Sequence, residues 1–173
     1  TGKRNYYMNK IIFSGPESSG KTTLSNYVSQ KYFLPIAKEY AREYLLEINR
    51  PYNQNDLLLI AKKQLQNEQK KIILDTDLIT IKIWSEYKYG ICDNWIIEQI
   101  KQQKKDNRTY ILCKPDFVWQ PDPLREHPNS RDDIFKIYQS ELEKLGHKYY
   151  ISLGNKKKRK IQIKNIISDI LNL

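Results

Sequence analysis

The sequence predicts an α/β fold of three layers, with a five-stranded, mostly parallel sheet covered by helices on both faces. Three observations lead there. Strand-like and helix-like stretches alternate along the whole chain, the order that a parallel sheet with crossover helices requires. The run Lys71-Ile-Ile-Leu74 is short, apolar and β-branched, as a strand buried on both faces must be. No internal repeat or linker interrupts the pattern, and 173 residues suit one domain with a proper core.

Each element has its own signal. A first strand over 10–14 enters a glycine-bounded loop, and the next helix carries Leu24, Tyr27, Val28 and Tyr32 at helical spacing. A short extended piece spans 33–38. Helices follow over 40–49 and 55–71, separated by a breaker at 49–53 that contains Pro51. The buried third strand ends at Asp75. A mostly apolar helix then covers 77–89, with Gly90 suited to its C-terminal cap. A further helix covers 94–104 and a fourth strand 109–113. Pro115, Pro121, Pro123 and Pro128 mark a long irregular segment. From about Asp132 a helix resumes with Ile134, Ile137, Tyr138, Leu142 and Leu145 on one face, and it stops at Gly146. The fifth strand takes 148–153, and Ile163, Ile166, Ile167, Ile170 and Leu171 stripe the last helix. A Pro-rich segment of about 15 residues is too long for a plain connection, so it is expected to act as a lid.

Composition narrows the function. The two cysteines, Cys92 and Cys113, lie far apart and read as reduced thiols of a cytoplasmic protein rather than a disulfide framework. His127 and His147 are isolated, which argues against a zinc site. No stretch nears the roughly 18 consecutive apolar residues of a membrane span, and the start of the chain lacks the apolar core of a signal peptide. Residues 1–9 read as a polar tail, with Met8 placed to be a natural start, ahead of a single domain over 10–173. The net charge is +10, densest at Lys156-Lys-Lys-Arg-Lys160. Because the excess lysine is spread over many helices, it reads as a solvated surface that suits polyanionic substrates rather than a nucleic-acid footprint.

Gly15, Gly20, Lys21 and Thr22 satisfy GxxxxGK[ST], directly after a strand and directly before a helix. Glycines let backbone amides wrap around phosphate oxygens, and the new helix adds its positive end. The fold expected is therefore a kinase-like P-loop NTPase with a Pro-rich lid. ATP lies on the loop (Gly15, Glu17, Ser18, Ser19, Gly20, Lys21, Thr22, Thr23), Lys21 reaches the β- and γ-phosphates, and Thr22 ligates Mg²⁺.

In open α/β sheets chemistry gathers beyond the carboxyl ends of the strands. Asp75 stands there as the acid that orients Mg²⁺ and its waters, and Glu39 follows the second strand, where a substrate hydroxyl is held. Asp77 either joins them or caps the next helix. Arg42 accompanies Glu39. Arg125 and Arg131 in the lid segment are placed to neutralise charge on a transferring phosphoryl group. Trp119 in the same segment is either an anchor in the core or a platform for a ring. Adenine is expected between the lid segment and 154–160.

The segments GPESSGKTTL (15–24), EYAREYL (39–45), LDTDLIT (74–80), WSEYKYG (84–90) and WQPDPLRE (119–126) occur in an order and spacing that resembles the ribosylnicotinamide kinase domain of the NadR family, over nearly all of the chain from about Lys10. The resemblance implies transfer of the γ-phosphate of ATP to the 5′-hydroxyl of nicotinamide riboside. It implies Glu39, Arg42, Asp75 and Asp77 around ribose and metal, with Tyr87 and Trp119 against the nicotinamide ring. Glu39 and Asp77 both remain contenders for the base. The family's adenylyltransferase and repressor activities are not carried over, because no HxGH-like signature surrounds either histidine.

Overall fold

Five of the apolar runs pair edge to edge in the computed structural model, which describes residues 9–173. Of the polar tail expected over 1–9, all but Asn9 lies outside the described residues. The strands are β1 (Lys10–Ser14), β2 (Ile36–Ala37), β3 (Ile73–Asp75), β4 (Arg108–Cys113) and β5 (Lys148–Ser152), in the order β2-β3-β1-β4-β5. Every pairing among them is parallel, with Ile12 registered on Leu74 on one side and Tyr110 on the other.

Period-two alternation splits the core into two layers. Ile12, Leu74, Tyr110 and Leu112 face α2 (Ala41–Ile48), α3 (Gln54–Asn67), α4 (Leu78–Tyr89), α5 (Asn94–Gln102) and α6 (Arg131–Leu145). Ile11, Phe13, Ile73, Ile111 and Cys113 face α1 (Lys21–Tyr32) and α7 (Lys156–Leu171). The three middle strands are buried on both sides, so their sequences show no polar alternation.

Three elements are clearly shorter than the sequence implies, the extended piece over 33–38 being a strand only at Ile36–Ala37, with Phe33 in the left-handed region at φ 53°. α3 stops at Asn67 and not 71, because the chain turns there with Lys70 in the left-handed region at φ 58°. α5 gives way to a single tight turn over Gln103–Lys105. The chain leaves β1 toward β2 and β3 on one side, then returns to place β4 and β5 on the other. That reversal opens a crevice above the carboxyl ends of β1 and β3, where α/β sheets bind ligands.

Candidate active site

The turn between β1 and α1 occupies this crevice, and its glycines have no room for a side chain. Gly15 sits at φ +138°, and a Cβ there would lie 2.5 Å from the Cys113 carbonyl oxygen. Gly20, at φ +85°, would bring a Cβ to 2.6 Å from the Phe117 ring. Lys21 opens α1, and its Nζ donates to the Gly15 and Pro16 carbonyls at 2.7 Å each, arched over the loop. Thr22 Oγ1 donates to Asp75 Oδ2 at 2.7 Å.

Asp75 is buried, and its other oxygen has no hydrogen-bond partner. Burial pushes its carboxyl above the ordinary range, opposed by the Thr22 hydroxyl and the Lys21 charge. An orphaned carboxylate oxygen beside a threonine hydroxyl fits Mg²⁺, which takes one or two protein ligands and completes its shell with water and phosphate. Among the described residues no cluster of three His, Cys, Asp or Glu side chains could hold a metal alone.

A cavity of about 450 Å³ is lined by this loop and by residues of α2, α4, α6, α7 and the stretch between β4 and α6. Glu39, just beyond β2, lines it, and so does Arg42 in the first turn of α2. Burial raises the Glu39 carboxyl; Lys21 pulls it back down, and neighbouring Asp75 pushes it further up. One wall comes from α4, whose Thr80, Ile83, Trp84 and Tyr87 follow one another at helical spacing and make an aromatic-walled chamber.

The Pro-rich stretch between β4 and α6, 114–130, forms a strap across the top without regular structure. Its ties to the phosphate loop are specific. The Gln120 amide donates to Ser18 Oγ at 3.3 Å, and the Glu126 and His127 amides donate to Glu17 at 3.1 and 3.2 Å. Arg131, at the start of α6, donates to the Ser18 and Phe117 carbonyls at 3.1 and 2.8 Å. Arg42 pairs with Asp122 of the strap at 2.6 Å.

The crevice thus brings together Gly15, Glu17, Ser18, Ser19, Gly20, Lys21, Thr22, Thr23, Glu39, Arg42, Tyr87 and Arg125, all of which line the cavity, with Asp75 beside Thr22. Three other residues expected in the site do not line the cavity. Trp119 is half-buried outside the cavity wall, with the Arg131 guanidinium 5.6 Å from its ring centre. Arg131 itself is engaged by the two carbonyls.

Asp77 is fully buried and caps α4 through the Ile79 amide. Its Oδ2 accepts from Arg108 at 2.9 Å and from the Tyr110 hydroxyl, and Arg108 is also paired with Glu68. This is the helix-capping alternative, reinforced by a buried ion pair. Removing one partner of such a pair strands a charge in the core. Asp77→Ala is therefore expected to destabilise the fold by about 3–5 kcal/mol, read from urea unfolding.

Trp84, Tyr138, Phe117 and Arg159 also line the cavity but were not singled out from the sequence. Trp84 had a usable signal, since it lies one turn before Tyr87 on the same helix face. Arg159 had none, hidden in a lysine run. It is buried, donating to the Ser19 and Lys114 carbonyls at 2.6 Å each and to Gly154 at 2.9 Å, with its guanidinium 4.5 Å from the Phe117 ring centre.

Known proteins share this architecture. The chain is 24% identical over 151 residues to the trifunctional NAD biosynthesis/regulator protein NadR of Salmonella typhimurium, covering 81% of this chain and 36% of that protein. A crystal structure of NadR in complex with NR superposes with a TM-score of 0.71 at 19% identity, covering 97% of this chain and 54% of the other. Deoxyadenosine kinase from M. mycoides superposes at 0.62 with 16% identity, covering 92% and 98%. The chain therefore spans about a third to a half of the NadR proteins it matches, and its fold is that of P-loop nucleoside kinases. The family model described as AAA domain matches residues 10–159, phosphate loop included, and the chain belongs to that family.

Proposed function

We propose that the protein transfers the γ-phosphate of ATP to the 5′-hydroxyl of nicotinamide riboside, giving nicotinamide mononucleotide. The observation that carries this reading is one cavity lined by the phosphate loop, by Glu39 and Arg42, and by the aromatic residues Trp84 and Tyr87. The similarity to NadR, which has been solved in complex with NR, supports that choice of acceptor.

Lys21 exchanges the Gly15 and Pro16 carbonyls for phosphate oxygens. Thr22 and Asp75 would hold Mg²⁺, which when bound neutralises charge on the β- and γ-phosphates. Glu39 orients the acceptor hydroxyl and takes its proton late. Its rival Asp77 is occupied by Arg108 and Tyr110, which favours Glu39. Arg125 lines the cavity whereas Arg131 is tied to the loop, which favours Arg125 for stabilising the transferred group. Tyr87 and Trp84 offer faces or edges to the acceptor ring; Trp119 reaches it only if the strap shifts. Adenine takes the end near Phe117, Lys156 and Lys160.

A panel of nucleosides read by ADP release tests the acceptor. Riboside-dependent release supports the reading, and release with another nucleoside alone replaces it. The likeness to deoxyadenosine kinase makes a deoxynucleoside the second reading.

The Glu39 environment predicts a pH profile. Its carboxyl is raised, so the base is lost as pH falls through a value above the usual carboxylate range. Turnover should show an acid limb there. Glu39→Gln should slow turnover by roughly 10²-fold and remove the limb. The sign for stability is opposite. A carboxyl raised in the folded state costs stability once ionised, and the cost is relieved as pH drops, so Glu39→Gln should raise the melting temperature at neutral pH.

A further inference from the structure

A further attachment of the strap, besides the Arg42–Asp122 pair, lies away from the phosphate loop. Tyr52, in the breaker between α2 and α3, places its hydroxyl between three groups from other parts of the fold. It accepts from Trp84 Nε1 at 2.9 Å and from Lys88 Nζ at 2.7 Å, and it donates to the Glu126 carboxylate at 2.7 Å. Lys88 also pairs with Glu126 directly at 3.0 Å. The Tyr52 ring packs edge-on against Trp84, centroids 4.9 Å apart. Trp84 forms the chamber wall.

Glu126 thus has two jobs in one residue. Its backbone amide is held by Glu17 of the phosphate loop, and its side chain is held by the hub behind the acceptor wall. The next residue, His127, has its ring edge-on to Tyr87 at 5.0 Å, with Nδ1 3.6 Å from Glu17. Trp84 and Tyr87 both line the cavity; Tyr87 meets the strap directly through His127, and Trp84 meets it through Tyr52.

We propose that Glu126 is a positioning residue for acceptor specificity: with Lys88 it latches the strap to Tyr52, the residue that backs Trp84, so that the strap holds the acceptor wall in the shape that fits its ring. The inference rests on the small-molecule kinase reading of the same cavity.

Its test uses Glu126→Gln and Tyr52→Phe in the full chain, singly and together. Both changes keep shape, and if one failed to fold, the other carries the test. In hydrogen exchange without acceptor, either variant should lose protection at strap amides 117–127, while α1 and β4 keep theirs. In turnover, each should raise the acceptor KM by roughly tenfold, the size expected for a hydrogen bond to a charged group. The ATP KM should stay within about twofold, and the double variant should be no worse than the poorer single, since the pair acts as one unit. Unchanged strap exchange, equal effects on both KM values, or additive losses would each overturn the latch. If riboside were not turned over at all, the kinase reading would fail by itself, and the exchange experiment would still decide whether the latch exists.

Discussion

Replacing Lys21 with alanine is expected to lower turnover by at least about 10³-fold while leaving the fold intact. The lysine is half-exposed and makes its two bonds to loop carbonyls, which water can satisfy in its absence. Its loss therefore costs little stability. In the proposed reaction it would reach the β- and γ-phosphates, where charge builds, so the penalty would fall on the transition state rather than on the resting protein. Single-turnover kinetics at saturating ATP separates the two: kcat should collapse while the thermal midpoint stays within a few degrees. Near-normal activity would remove the phosphate loop from the chemistry.

Asp75→Asn is the second large effect. The asparagine keeps the size of the side chain but surrenders the charge and one acceptor. Thr22 then competes with an amide for geometry, and the unpartnered oxygen that fits a metal's hydration shell is neutral. Turnover should fall by roughly 10²–10³-fold, with the Mg²⁺ concentration for half-maximal rate moving upward. Stability should move the other way, because burial disfavours the ionised carboxyl and the amide removes that cost. A Mg²⁺ titration of both proteins, paired with melting curves, reads both signs. A slow variant with an unchanged Mg²⁺ requirement would leave Asp75 a structural acid.

Much of this was legible in the residues. β1, β3 and β4 are continuous apolar runs because they are buried on both faces, and glycines 15 and 20 are fixed by collisions that any side chain would make. The phosphate loop and the acids at strand ends could be placed because local spacing decides them. What could not be read depends on contacts distant in sequence. Arg159 is separated from its partner Ser19 by 140 positions, and it looks like any other member of a basic run. Asp77 satisfied two readings until Arg108 and Tyr110, more than 30 residues on, were brought against it by the β1–β4 pairing. Trp119 and Tyr52 show the same limit. A loop residue's partner is set by where the loop lands, and the proline-rich segment gives no periodicity from which to infer that.

The measurement that bears most directly on the central claim is ADP release with ATP and Mg²⁺, in the presence and absence of nicotinamide riboside, with the product weighed by mass spectrometry. Riboside-dependent release with formation of nicotinamide mononucleotide is the predicted result. ATP binding without any riboside-dependent release would contradict it, leaving the nucleotide site in place and assigning the aromatic chamber to a different acceptor.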